Sequence, residues 1–282
     1  MKAAYLAQFR KDLLEKAAGL VPNHGFSNVS LFPLALRAIQ ETDAYKDRTN
    51  TTDIDFANLF PRGFPIALVE HIVESTNKAA HMRLEECFNK DVIIDYIARN
   101  GENCQTGQYS TPGVKNVVEE AILTKINALV PYVRHWPEAV ALEWKPSNAP
   151  FAVKNLAEFV DTTCYYAERM ENLGAVIASG NLLLKSRLGY STHHVPERSE
   201  KNDGKYQQET DEERFWRRFV SSIPLSTGPH MGEGLLSFEW YIKRTKVATA
   251  FSLAMFSFLG EEKNQYRDTR AILNCITNRL FR

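Results

Sequence analysis

The chain has 282 residues, 44% of them hydrophobic and 24% charged, with 34 basic residues against 34 acidic ones. This is an ordinary globular composition with room for one large domain or two small ones, and it lacks the basic excess that a nucleic-acid binder shows. Cysteines at 87, 104, 164 and 275 match neither a zinc ribbon nor a CxxC redox pair, so reduced, buried thiols are expected.

The first residues, MKAAYLAQFRKDLLEKAAGLV, contain no signal-peptide core and no clear transit peptide, because Asp12 and Glu15 come early in an already helical pattern. Residues 5–20 read as an amphipathic helix that Pro22-Asn23-His24-Gly25 stops. A second helix fits about 28–41. Pro65 suits the first turn of a third, with Ile66, Val69, Val73 and Ala80 on one face, and a fourth fits about 85–99. Asn100 to Gly113 reads as a loop. Val118, Ile122, Ile126, Leu129 and Val133 form the next apolar stripe. Pro137 starts a short helix that Pro146 to Pro150 breaks. Val153, Leu156, Val160, Cys164 and Ala167 make another stripe, and the last helix carries Tyr266, Leu273, Ile276 and Leu280. Alternating strand patterns are scarce, so the fold class is all-α.

Pro196 to Arg214 stands apart, with 11 charged residues in 19 and Tyr206 its only large apolar side chain. Such a segment buries too little surface to offset its ordering entropy, so a mobile loop is expected there. Its flanks, Leu173 to Leu188 and Phe215 to Ile223, read as helical. The stretch 171–236 is therefore an insertion, partly disordered, between two core helices.

Enzyme chemistry finds no support in the motifs. There is no ExxH pair, no HExxH and no P-loop. Gly189-Tyr190-Ser191 begins like a nucleophile elbow, but His193 stands where that motif needs glycine. His193-His194 reads as a solvated pair in a polar loop, not a metal site. No catalytic and no metal-ligating set emerges.

The most informative segment is the greasy helix that Trp240-Tyr241 opens. From Val247 to Leu259, 13 residues carry no charge, too few for the roughly 20 that cross a bilayer. A helix apolar nearly all round is buried or wraps something apolar. Val247, Phe251, Met255 and Phe258 share one face, while Leu253 and Phe256 point elsewhere. Phenylalanine and methionine suit an isoprenoid tail of variable pose. The alternative is simple core packing against the helices at 115–168. Candidate lipid-contacting residues are Val247, Phe251, Leu253, Met255 and Phe258. Trp240 and Tyr241, followed by Lys243 and Arg244, read either as a partner-binding anchor or as an aromatic staple to the core, and Asp161 is placed to pair with Arg244.

The segments LVPYVRHWPEAVAL (129–142), FVDTTCYYAE (159–168) and FEWYIKR (238–244) resemble the ninth coenzyme Q biosynthesis protein family. AAGLVPNHGF (17–26), the run from Leu59 to Glu86 and YRDTRAILNCITNRL (266–280) fit the same family in the same order. The resemblance covers about 1–40, 56–90, 114–170 and 237–281. It implies a single TetR-like all-α helical bundle over 1–282, with a degenerate helix-turn-helix part at 1–90 and a lipid-binding helical core at 114–170 and 237–282. It further implies a homodimer without catalytic activity or cofactor that presents isoprenoid quinone intermediates to the demethoxyubiquinone hydroxylase at the matrix side of the mitochondrial inner membrane. By the same resemblance, Asp161, Trp240, Tyr241 and Arg244 match the patch that docks the hydroxylase, and Tyr166 a position near it. Three features depart from the family pattern: 171–236 replaces a short loop, Cys164 replaces an aromatic residue, and no C-terminal amphipathic helix follows the last core helix. Phe215 to Phe219, FWRRF, is the segment with membrane-contacting character.

A TetR-type, ligand-responsive DNA-binding regulator is the alternative. Its recognition helix would fall near 42–58, TDAYKDRTNTTDIDFAN, where Asp43, Asp47, Asp53 and Asp55 outnumber Lys46 and Arg48. Phosphate binding needs the opposite sign, so no nucleic-acid partner is expected.

Overall fold

A computed structural model describes residues 2–27, 29–42, 45, 56–89, 91–93, 112–188, 214, 217–218, 238–261 and 266–281, and its regular elements there are all helical. The expected all-α class is thus shown.

Helix α1 (Lys2–His24) runs on through Pro22 and stops only at Gly25, whose φ of 75° is left-handed. A proline in the last turn removes one hydrogen bond, and the Gly25 N–H still reaches the Val21 carbonyl at 2.8 Å. The glycine, not the proline, is the stop. Helix α2 (Leu31–Gln40) buries Leu31, Ala35 and Ile39, spaced four apart on one face. After a short turn, α3 (Phe56–Leu59), Gly63 at φ 96° precedes α4 (Phe64–Phe88), which Pro65 opens. Helix α4 continues unbroken past residue 85 to Phe88, and of the separate helix expected at 85–99 the described residues 91–93 are helical after the break at Asn89. Residues 94–99, like most of the expected 100–113 loop, lie outside the described residues.

Helix α5 (Val114–Leu129) buries Val117, Val118, Ala121, Ile122, Ile126 and Leu129. It passes into a 3-10 turn, Val130–His135, and then α6 (Trp136–Glu143). Helix α7 (Ala149–Leu188) is the longest among the described residues. It carries the expected stripe, except that Val153 is exposed, and it continues through residue 171 to Leu188. The insertion therefore begins as a continuation of a core helix, and the helical flank expected at 173–188 is formed. Of the rest of the insertion, only 214 and 217–218 are described, all three helical, so the expected loop at 196–214 and most of FWRRF lie outside the described residues. Helix α8 (Phe238–Gly260) packs against α9 (Arg267–Leu280). Tyr266 sits just before α9 with φ 60°, its ring 4.9 Å from that of Phe258.

The core is built from α4, α5, α7 and α8, with α9 packed on α5 and α8. The α1–α2 hairpin joins it through α4 and the 3-10 turn. Phe26, Leu68, Leu84, Ile122, Tyr166 and Phe258 are among its fully buried side chains.

Candidate functional site

Between α4, α5, α6, α7 and α8 lies a cavity of about 200 Å³. Val73, Leu129, Trp136, Val140 and Leu156 line it from four of these helices, and Phe251, Met255, Phe256 and Leu259 line it from α8. The apolar helix around 247–259 thus forms one wall. Of the five residues read from sequence as lipid-contacting, Phe251 and Met255 line the cavity. Val247 and Phe258 are buried in the core, and Leu253 is 46% exposed. Phe256, which points away from the shared face, lines the cavity as well.

Two charged groups meet this apolar space, and no sequence motif marks them. Lys125 is buried on α5 and donates to the Asn77 Oδ1. Its ammonium lies 4.5 Å from the Phe159 ring centroid and 5.1 Å from that of Phe251, both within cation–π range. Asn77 in turn donates to the Asn155 carbonyl at 3.1 Å. Burial pulls the Lys125 pKa down to about 7, with Glu143 pulling the other way. Glu143 lines the same cavity. Burial pushes its pKa up to about 7, Lys125 opposes the shift and Glu70 adds to it. A sequence signal did exist: Lys125 falls in register with Val118, Ile122 and Leu129 on the apolar stripe, where a lysine has no ordinary place.

The second feature is the start of α8. Arg244 Nε donates to Asp161 Oδ1 at 2.5 Å, so the expected pairing is formed. The Arg244 guanidinium lies 3.5 Å from the Trp240 ring centroid, and its second ion pair is to Glu168 at 3.6 Å. Trp240 packs edge-on against Tyr241 at 4.8 Å, and Tyr241 is 53% exposed. Lys243 pairs with Glu171 at 2.6 Å. Asp161, Trp240, Tyr241 and Arg244 therefore make one aromatic and charged patch. Tyr166 is not part of that surface. It is buried, its hydroxyl donating to Glu85 and its ring edge-on to Tyr165. Cys164 lies buried beneath, its thiol pushed up to about 12 mainly by burial.

The HWP motif has a local physical role. Glu138 accepts the N–H groups of Phe26 and Ser27 at 3.1 and 3.2 Å, and His135 contacts its other oxygen at 3.2 Å. Burial raises the Glu138 pKa, but His135 and the two N–H donors outweigh it and leave the carboxyl below its usual range. Trp136, which lines the cavity, stands edge-on to Phe26 at 6.1 Å. One short motif thus ties the cavity wall to the α1–α2 connection.

Curated proteins bear on the resemblance. The mitochondrial ubiquinone biosynthesis protein COQ9 of Drosophila melanogaster is 33% identical over 75 residues, which is 24% of this chain and 23% of that protein. The COQ9 of Homo sapiens is 32% identical over 63 residues, 22% of this chain and 20% of its own. The COQ9-A of Xenopus laevis is 24% identical over 162 residues, 57% of this chain and 42% of its own. The chain thus spans less than half the length of these relatives. No family model matches it. By sequence, the chain is similar to COQ9 proteins over part of its length.

Proposed function

We propose that this protein is a non-catalytic, lipid-binding accessory protein of ubiquinone biosynthesis that presents isoprenoid quinone intermediates to the demethoxyubiquinone hydroxylase. It acts as a homodimer at the matrix face of the mitochondrial inner membrane. The observation that carries the reading is the apolar cavity walled by Phe251, Met255, Phe256 and Leu259 of α8. Each CH₂ of a tail taken from water into such a wall contributes about 0.8 kcal/mol. Similarity to curated COQ9 proteins, whose names state ubiquinone biosynthesis and mitochondria, supports the pathway and the compartment. No described helix is long and apolar enough to cross a membrane.

The Arg244–Trp240–Tyr241 patch supports the docking role, because aromatic and arginine side chains dominate binding hot spots. Native mass spectrometry of the purified protein is expected to show a bound quinone or isoprenoid lipid. Protein that is uniformly free of lipid and takes up none overturns the carrier role. Trp240→Lys is expected to abolish co-purification of the hydroxylase while leaving the circular dichroism spectrum unchanged; undiminished co-purification removes the patch from the interface.

A further inference from the structure

The cavity has an apolar mouth and a polar floor. Trp144 and Phe256, 62% and 74% exposed, stand at its rim. Lys125 lies buried at its inner end with the rings of Phe159 and Phe251 against the ammonium. An ammonium has three N–H donors and no acceptor. Asn77 takes one, and no carboxylate among the described residues comes within ion-pair distance of it. Cation–π contact offsets part of the cost of burying the protonated form, but among the described residues no second oxygen meets its remaining donors. Leaving such capacity unmet in a dry interior is costly, and an acceptor brought in by a ligand relieves that cost.

Volume then decides which part of a ligand enters. About 200 Å³ is below the roughly 300–1,000 Å³ of pockets that enclose a drug-sized molecule. Only one end of a long-chain molecule fits. A purely apolar cavity would select the hydrocarbon end, whereas a donor on the floor selects the oxygen-bearing end and leaves the chain to run out past Met255, Phe256 and Trp144.

We propose that Lys125 anchors the ligand's head, and that the ligand enters head first: an amphiphile whose acceptor oxygen, carbonyl or carboxylate, meets the Lys125 ammonium while its apolar chain lies along α8. The proposal rests on the lipid-binding reading above and adds the orientation of the ligand and the residue that fixes it.

The test is displacement of the fluorophore N-phenyl-1-naphthylamine from the full chain by three probes: decylubiquinone with a carbonyl head, palmitate with a carboxylate head, and dodecane with none. A headed probe is expected to bind at least about tenfold tighter than dodecane, and Lys125→Met to lose about 10- to 100-fold for that probe with dodecane unchanged, the size of a hydrogen bond to a charged group. The relative affinities of decylubiquinone and palmitate tell which head the site takes. Equal binding of headed and headless probes, or full retention by Lys125→Met, overturns the anchor and leaves the carrier reading standing. Displacement by none of the three overturns both.

A second measurement needs no variant. The carboxyl carbon of bound [1-¹³C]palmitate is expected to be shielded from a soluble gadolinium chelate. A carboxyl relaxed as strongly as in free palmitate places the head outside and overturns the orientation.

Discussion

Lys125 and Glu143 give the protein a definite pH dependence, because their pKa values move toward each other. Folded Lys125 titrates near 7 against an ordinary 10.5. Between those values the unfolded chain binds the extra proton, so this residue's contribution to stability rises with pH. Folded Glu143 titrates near 7 against 4.5. Between those values the folded chain holds the extra proton, so its contribution falls as pH rises. The joint contribution is therefore least near pH 7. Other charges near the pair are Glu70 and the Arg62 bonded to it at 2.6 Å. Replacing both groups by apolar ones, Lys125→Met with Glu143→Leu, is expected to stabilise by about 1–4 kcal/mol near neutrality. The gain should shrink on either side, as urea midpoints at about pH 5, 7 and 9 would show. A gain independent of pH rejects the titration of this pair as its source. Gly25 makes a different residue-scale prediction. A Cβ there would stand 3.0 Å from His135 Nδ1 and 3.1 Å from the Glu138 carboxylate, on a left-handed backbone. Gly25→Ala is expected to cost about 1–3 kcal/mol in denaturant unfolding, and an unchanged midpoint would show that the α1–α2 connection yields freely.

At the scale of the element, periodicity made most helices legible. The stripes of α4, α5 and α7 predicted most of their buried faces because a helix packed on one side must repeat its apolar residues every three to four positions. Ends were harder to read. The run Pro22 to Gly25 does hold the stop of α1, but at Gly25, because a proline in a last turn removes only one bond. The junction at residue 85 looked like a new start, whereas α4 simply continues to Phe88. Composition also set the insertion's edge at residue 171, although helix geometry carries α7 seventeen residues further, to Leu188. Helix α9 shows how a start is fixed from a distance. The Glu261 carboxylate accepts the N–H groups of Asp268 and Thr269 at 3.1 and 3.0 Å and the Thr269 hydroxyl at 2.8 Å. It acts as a cap from outside the helix on donors that the first turn leaves unpaired. Burial pulls the Glu261 pKa up, but the bonds from Thr269 and from the Asp268 and Arg267 N–H groups prevail and hold it low. Glu261→Ala is expected to speed amide exchange at 268 and 269 selectively; slow exchange at both would assign the start of α9 to packing of Tyr266 on Phe258 instead.

At the scale of the whole molecule, the cavity is a joint between helices far apart in sequence. That is why only half of it was legible. The α8 wall announced itself as an uncharged run, but Lys125, Asn77 and Glu143 come together only when α4, α5 and α6 pack, and no local pattern links their positions. The same geometry predicts how a ligand acts on stability. An occupant contacting five helices at once binds the folded chain and not the unfolded one, so it stabilises by mass action. At a free concentration of about 100 times Kd, that gain is about 2.7 kcal/mol. For a chain of this size, Tm moves by about 2–4 °C per kcal/mol. Decylubiquinone is therefore expected to raise Tm by about 5–10 °C in calorimetry and to slow amide exchange on α5, α6 and α8 together, since their walls meet at the cavity. In Lys125→Met the shift at the same probe concentration should fall to about 1–6 °C, because a 10- to 100-fold weaker Kd brings that concentration down to about 10 to 1 times Kd. A Tm that rises equally in both proteins would mean that the probe stabilises through its chain alone, and protection confined to the exposed start of α8 would place it on the surface patch and not between the helices.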